Sequence, residues 1–367
     1  MLILQMNAQT NTLLGVDAGD SLTTGGRNTF IGYRSGHSTS TGSGNIFVGY
    51  ESGLNNTTGN NNNFVGYASG YNNSIGFRNN FIGCFSGLNN TTGNNNNFIG
   101  YFSGASNTSG SSNNFSGFES GRYNTTGNRN SFLGFRSGYN NTTGSDNNFL
   151  GLLSGSNNTK GSRNNFFGNL SGRLNTTGSF NSFIGYYAGF RSEKGSGNVA
   201  IGAGAGPTSA NADKQLRLYI DVDTLSTNGN DDPLIYGEFD NDLVRINGAF
   251  EVTAGISNSS SREIKEDFAT VNASEILSKL ERLEVLQWSY KNKPQDTHLG
   301  PVAEDFYDLF GLGDGDKKIS TIDADGVMML SIQALIKEID HLKTKLQEQN
   351  EKMNHLNSQL KSKIKVK

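Results

Sequence analysis

NNFIGCFSGLNNTTGNN, residues 79–95, is followed without a break by NNFIGYFSGASNTSGSS, residues 96–112, and the agreement between the two blocks decides the fold. Outward from this pair the block recurs in both directions at a constant step of 17 residues. One glycine column runs Gly15, Gly32, Gly49 and onward to Gly202, a second lies four positions later from Gly19 to Gly206, and a third runs from Gly25 to Gly195. An asparagine column keeps the same phase from Asn28 to Asn198. A disordered Asn/Gly/Ser-rich tract has no reason to hold Phe, an aliphatic residue and Gly in register over eleven steps, so the spacing predicts an ordered repeat.

The unit N-x-F-I-G-Y-x-S-G-x-x-N-T-T-G-x-x reads as an alternating strand, a glycine turn, a shorter Thr-containing strand and a second turn, hence two short strands per coil. Twelve such coils over residues 10–206, stacked at about 4.8 Å, make a rod about 55–60 Å long in which asparagines stack amide on amide. Alternation sends Phe30, Phe47, Phe64, Phe81 and Phe98 to one face and Ile31, Val48, Val65, Ile82 and Ile99 to the other. A coil this thin has room inside for one column, so the other is expected to pack on another chain. The variable positions Arg34, Glu51, Arg136 and Tyr187 fall at the rim, where a receptor or glycan would be met. A threonine column (Thr57, Thr91, Thr125, Thr142, Thr176), broken by Ser74 and Glu193, is the one feature an ice-binding face would need.

Composition excludes several classes. With 17% charged residues and a net charge of -3 there is no basic stripe for nucleic acid. The single cysteine, Cys84, and the scattered His37, His298, His341 and His355 give no disulfide framework and no metal-ligand spacing, and no cofactor motif is present. The turns carry Asn and Thr where calcium-binding β-rolls need Asp. No apolar run reaches the roughly 18–20 residues of a membrane span, so no membrane insertion is expected. The segment 1–9, MLILQMNAQ, resembles the end of a secretory signal peptide without its basic region.

The period stops at Pro207, and residues 207–258 read as a β-rich connector with strands at Leu216–Val222, Leu234–Phe239, Leu243–Ile246 and Phe250–Val252. Residues 259–326 form a small α+β core: a helix over Ala273–Leu283, a strand around Trp288 and a helix over Val302–Phe310. Residues 327–367 form a long helix whose Leu335, Ile339, Leu342, Leu346, Met353, Leu356 and Leu360 follow a heptad seam. That stripe has no partner within the chain and is expected to oligomerise, as a trimer. The tracts Gly313–Asp316 and Asp323–Gly326 lack EF-hand spacing and read as turns, with aspartates capping the helix that follows.

Three resemblances extend this reading. GNVAIGAGAG, residues 197–206, resembles the repeats of trimeric autotransporter adhesin heads, which implies a left-handed parallel β-roll. The run from Leu218 to Val252 resembles the connector of bacterial and phage tail-fibre-domain proteins. SSREIKEDF (260–268 with Ser259 before it), HLGPVAEDFYDLFGLG (298–313) and STIDADGVMMLSIQALIKEI (320–339) together resemble the endosialidase-type intramolecular chaperone. That family has Asp where Ser261 stands and Arg where Glu263 stands. The resemblance implies a homotrimer whose C-terminal module templates folding and is released by a Ser-Lys dyad, with Ser260 as nucleophile and Lys265 as base among the neighbouring Ser257, Ser259 and Ser261. It implies an extracellular fibre for surface or host attachment, mainly β, with no cofactor.

Overall fold

The structure is a computed structural model that describes residues 10–222, 233–248, 250–253, 259–291, 293–313 and 315–364. The chain divides into two compact units, Met1–Ala254 and Gly255–Lys367.

In the first unit twelve strands, β1 (Thr12–Leu14) to β12 (Val199–Ile201), stack in chain order, all parallel. Each residue pairs with its counterpart 17 positions on, as Phe81 does with Phe98. The solenoid is therefore the one the spacing predicts, with a correction: each coil holds one three-residue strand, not two. Glycine ends the strand. Gly83 has φ 133°, and a Cβ there would lie 2.6 Å from the Gly100 carbonyl oxygen of the next coil. Two residues later Phe85 is left-handed at φ 58°, which turns the chain out of the sheet. The threonine segment bonds the next coil through bends; the Thr91 N–H meets the Thr108 carbonyl at 2.9 Å without extended geometry.

The interior takes the phenylalanines. Ten of them, Phe30 to Phe183, are at most 1% exposed. Their rings stack at 4.7–4.9 Å with interplanar angles of 5–8°, which matches the strand spacing. The aliphatic column consequently lies outside, with Ile82 and Ile99 each 37% exposed. Beside it runs an exposed tyrosine column, Tyr33, Tyr50 and Tyr67, whose rings stack at 5.1 Å.

The rest of the interior is polar and hydrogen-bonded almost throughout. Asn62 donates from Nδ2 to the Gly76 carbonyl at 2.8 Å and accepts at Oδ1 from the Asn79 N–H at 2.9 Å. This column therefore mainly bonds backbone, and its amide-to-amide contacts are few and long, as for Asn113 to Asn96 at 3.2 Å. The regular amide ladder is a second column, Asn56 to Asn175, with steps of 2.7–2.8 Å. A serine column completes the wall, Ser86 Oγ donating to the Phe98 carbonyl at 2.9 Å. Buried amides and hydroxyls are tolerated because nearly all have a partner in their own or the adjacent coil, Asn175 Oδ1 and Ser192 Oγ excepted.

The connector continues this sheet. β13 (Arg217–Ile220) pairs parallel with β12, while β14 (Ile235–Glu238) and β15 (Leu243–Ile246) follow antiparallel. Phe250–Val252, expected as a strand, forms none.

In the second unit Asn272 caps α1 (Ala273–Arg282) by accepting from the Ser274 and Glu275 N–H groups. The hairpin of β16 (Leu286–Tyr290) and β17 (Lys293–Gly300) follows, then α2 (Ala303–Phe310), closed by Gly311 at φ 63°. α3 spans Thr321–Ile364. Ile276, Phe306 and Val327 form the small core, with Leu280, Phe310 and Leu330 against it. α3 begins six residues earlier than its apolar pattern predicts, so Asp323–Gly326 lies inside its first turns and is not a preceding turn; Ala324 N–H already bonds the Ser320 carbonyl at 3.1 Å. Leu335, Ile339, Leu342, Leu346, Met353, Leu356 and Leu360 are all exposed.

Candidate functional site

The local sequence S-S-R-E-I-K places two reactive groups together. Ser261 caps a single 3-10 turn, Arg262–Ile264, its Oγ accepting from the Glu263 N–H at 3.2 Å. Lys265 closes the turn through its N–H to the Arg262 carbonyl and then becomes extended at φ -124°, ψ 143°. One tight turn thus separates Ser260 from Lys265. Its effect is to bring Lys265 Nζ to 2.6 Å from Ser260 Oγ, with the amine donating. Arg262 packs its guanidinium 5.1 Å over the Phe268 ring and takes no part in the pair. The Ser261 hydroxyl is engaged in its cap, Ser259 is exposed, and Ser257 lies outside the described residues.

Geometrically the pair has the contact a nucleophile and its base require. For attack the proton must travel from Ser260 to an uncharged Lys265, and a lysine becomes such a base when water is removed from around it. Both side chains are exposed in the single chain.

Residues 260–311 match the family described as the chaperone of endosialidase. The match starts on Ser260 and covers α1, the hairpin and α2. No curated protein and no solved structure matches the chain. The protein thus joins a β-solenoid to a segment that matches the endosialidase chaperone family, an arrangement that fits a tail-fibre-like protein.

The rim positions form a second candidate surface. Arg34, Glu51, Arg136 and Tyr187 all adopt left-handed backbone, φ 51–61°, a conformation that turns the chain at a corner of the coil. Arg34 pairs with Glu51 at 3.1 Å, and Arg136 with Glu119 at 2.6 Å. Glu119 and its second partner, Arg122, went unnoticed in the sequence, although Glu119 stands one period before Arg136 and the 17-residue register points straight to it. On another edge Arg129 holds Asp146 of the next coil in a two-point contact, 2.6 and 3.0 Å. That hydrogen bond keeps the Asp146 carboxyl below the usual carboxylate range. The threonine hydroxyls are spent on the stack, Thr91 Oγ1 donating to the Thr108 carbonyl at 2.9 Å.

Proposed function

We propose that the protein is a homotrimeric extracellular fibre for surface or host attachment, whose C-terminal segment templates assembly and cleaves the chain near Ser260. The observation that carries the reading is the 2.6 Å contact between Lys265 Nζ and Ser260 Oγ at the first residue of the chaperone match. Neutral Lys265 takes the Ser260 proton and Oγ attacks a backbone carbonyl carbon; the C–N bond breaks as Lys265 passes that proton to the departing amine, and water then hydrolyses the resulting ester. Because both groups face water in one chain, the neighbouring chains of the assembly supply the covering that makes Lys265 a base, so cleavage follows association.

Two apolar surfaces support association. The α3 stripe is exposed along seven heptad positions, and an isolated helix does not leave such a seam to water. The solenoid adds its outer aliphatic and aromatic columns, interrupted at Ser116 and Asn169, as exposed apolar surface. A dimer is the second reading, because Ile332 with Leu335 and Ile339 with Leu342 put Ile at a and Leu at d, a pattern that favours two strands. Sedimentation equilibrium decides the number of chains: a mass of three chains supports the proposal and two overturns the trimer.

Cleavage is read on a denaturing gel. Wild type should lose about 12 kDa of its 39.5 kDa, the share of the 108 residues from Ser260 onward, while Ser260→Ala stays whole. A wild-type chain that stays whole in the assembled state ends the cleavage reading and leaves an uncleaved, receptor- or glycan-binding adhesin.

A further inference from the structure

Charge is unevenly placed along the solenoid. Residues 10–101 hold three arginines against three acids, whereas residues 102–206 hold eight Lys and Arg against three acids. The ladders that build the stack use none of these cations, so the excess has no part in the fold's repeat.

The excess comes to a focus at one corner. Glu119 is the single carboxylate of the solenoid whose side chain is nearly enclosed, 5% exposed among the described ion pairs, and it holds two guanidiniums: Arg122 of its own coil and Arg136 of the next, the latter at 2.6 Å through Nε. Arg122 lies 4.5 Å over the Phe102 ring, and Arg136 lies 5.1 Å over Tyr139 and 5.3 Å over Phe135. Tyr123 and Tyr139 meet edge to face at 5.0 Å beside them. One carboxylate against two guanidiniums leaves a net positive charge, and the rings fix the guanidinium planes before any ligand arrives. Arg122 and Arg136 stay 27% and 42% exposed, with N–H groups beyond those given to Glu119.

The chemistry of the ligand follows from what is left open. Guanidiniums lie over Phe102, Tyr123, Phe135 and Tyr139, and Tyr123 meets Tyr139 edge to face, so on those sides a base cannot stack. What remains is a fixed pair of anion donors flanked by tyrosine hydroxyls, which suits a carboxylate carried on a hydroxyl-rich ring. We propose that the corner formed by Arg122, Tyr123, Arg136 and Tyr139 binds an acidic saccharide through its carboxylate. The proposal rests on the attachment reading and names the ligand class for it.

The test uses the full chain with oligogalacturonate as probe, the carboxyl-reduced oligomer as its neutral counterpart, and single-stranded DNA as a second polyanion, all by calorimetry. Oligogalacturonate should bind, and the reduced oligomer should bind at least tenfold more weakly. Arg136→Gln should cost about tenfold in affinity, the worth of one charged hydrogen bond. Arg78→Gln, which removes an arginine stacked on Phe77 away from the corner, should cost nothing. Glu119→Gln gives the sign: it removes the internal competitor without burying an unpaired charge, so affinity should rise, whereas a purely structural cluster would leave it unchanged or lower it. No binding of oligogalacturonate, equal binding of the reduced oligomer, equal losses in Arg78→Gln and Arg136→Gln, no rise in Glu119→Gln, or DNA binding with the same dependence on Arg136 overturns the proposal. Sedimentation mass and gel cleavage measured on the same samples separate its failure from a failure of the fibre reading.

Discussion

Replacing Asn107 by serine should weaken the solenoid by about 2–4 kcal/mol, from one buried amide in mid-stack. Asn107 Nδ2 donates to Asn90 Oδ1 at 2.7 Å and to the Gly110 carbonyl at 3.0 Å, and its Oδ1 accepts from Asn124 Nδ2 at 2.8 Å. The Gly110 carbonyl keeps Asn96 Nδ2 at 2.8 Å and Asn124 Nδ2 keeps the Gly127 carbonyl at 3.1 Å, so these two losses are small. Asn90 Oδ1 is left buried without a donor, a state that costs about 1–3 kcal/mol. Among the described residues the same defect already occurs once. Where the ladder ends, Asn175 Oδ1 and Ser192 Oγ are buried and neither has a partner. Ser192→Asn should therefore act in the opposite direction, adding about 1–2 kcal/mol by supplying the missing donor. Urea unfolding of both variants reads the sign through the midpoint at constant slope, and hydrogen exchange of neighbouring coils locates it, since stacked repeats open locally. A change below about 0.5 kcal/mol in Asn107→Ser, the range of ordinary surface substitutions, or a loss of stability in Ser192→Asn would refute the ladder argument.

Phe98→Ala should cost about 3–5 kcal/mol, because the ring is fully buried between two others and rigid strands cannot close the gap; thermal melting measures it. Gly100→Ala sets a Cβ 2.4 Å from the Gly117 carbonyl oxygen at φ 132°, and is expected to abolish soluble folded protein, read from soluble yield and circular dichroism. Asp146 has its folded pKa depressed by Arg129, so the pair adds stability above the ordinary carboxylate pKa and loses it as pH falls through the lowered value. Wild type should accordingly melt above Asp146→Asn at pH 7, and the gap should shrink as pH falls below the ordinary carboxylate range. Leu342→Asp on the α3 seam should lower the sedimentation mass while leaving the far-ultraviolet spectrum of the solenoid unchanged.

The period was legible because glycine is confined to positions where a Cβ has no room, as at Gly83, and those positions recur with every coil. Which apolar column fills the interior was not legible, since Phe98 and Ile99 are both apolar and alternation alone does not choose; ring stacking at the strand spacing chooses phenylalanine. The second strand was misjudged because inter-coil hydrogen bonds at Thr91 form from bends, which hydrophobic alternation does not report. Left-handed backbone at Phe85 and Arg136 was invisible, as neither residue favours it and the stack imposes it. Ser260 and Lys265 were found through resemblance, and five residues of spacing became a 2.6 Å contact only through the turn capped by Ser261.

Each inner coil of the solenoid bonds the coil before it and the coil after it, through backbone positions that are the same at every step. A duplication or deletion of one 17-residue unit therefore replaces the lost strand pairing and the lost Phe and Asn contacts with equivalent ones and leaves both ends of the stack as they were. Reach changes by about 4.8 Å per unit while the corner residues of the remaining coils are untouched. Length and surface chemistry are in this sense separately heritable, and a lineage of such chains can lengthen or shorten without first passing through an unfolded intermediate sequence.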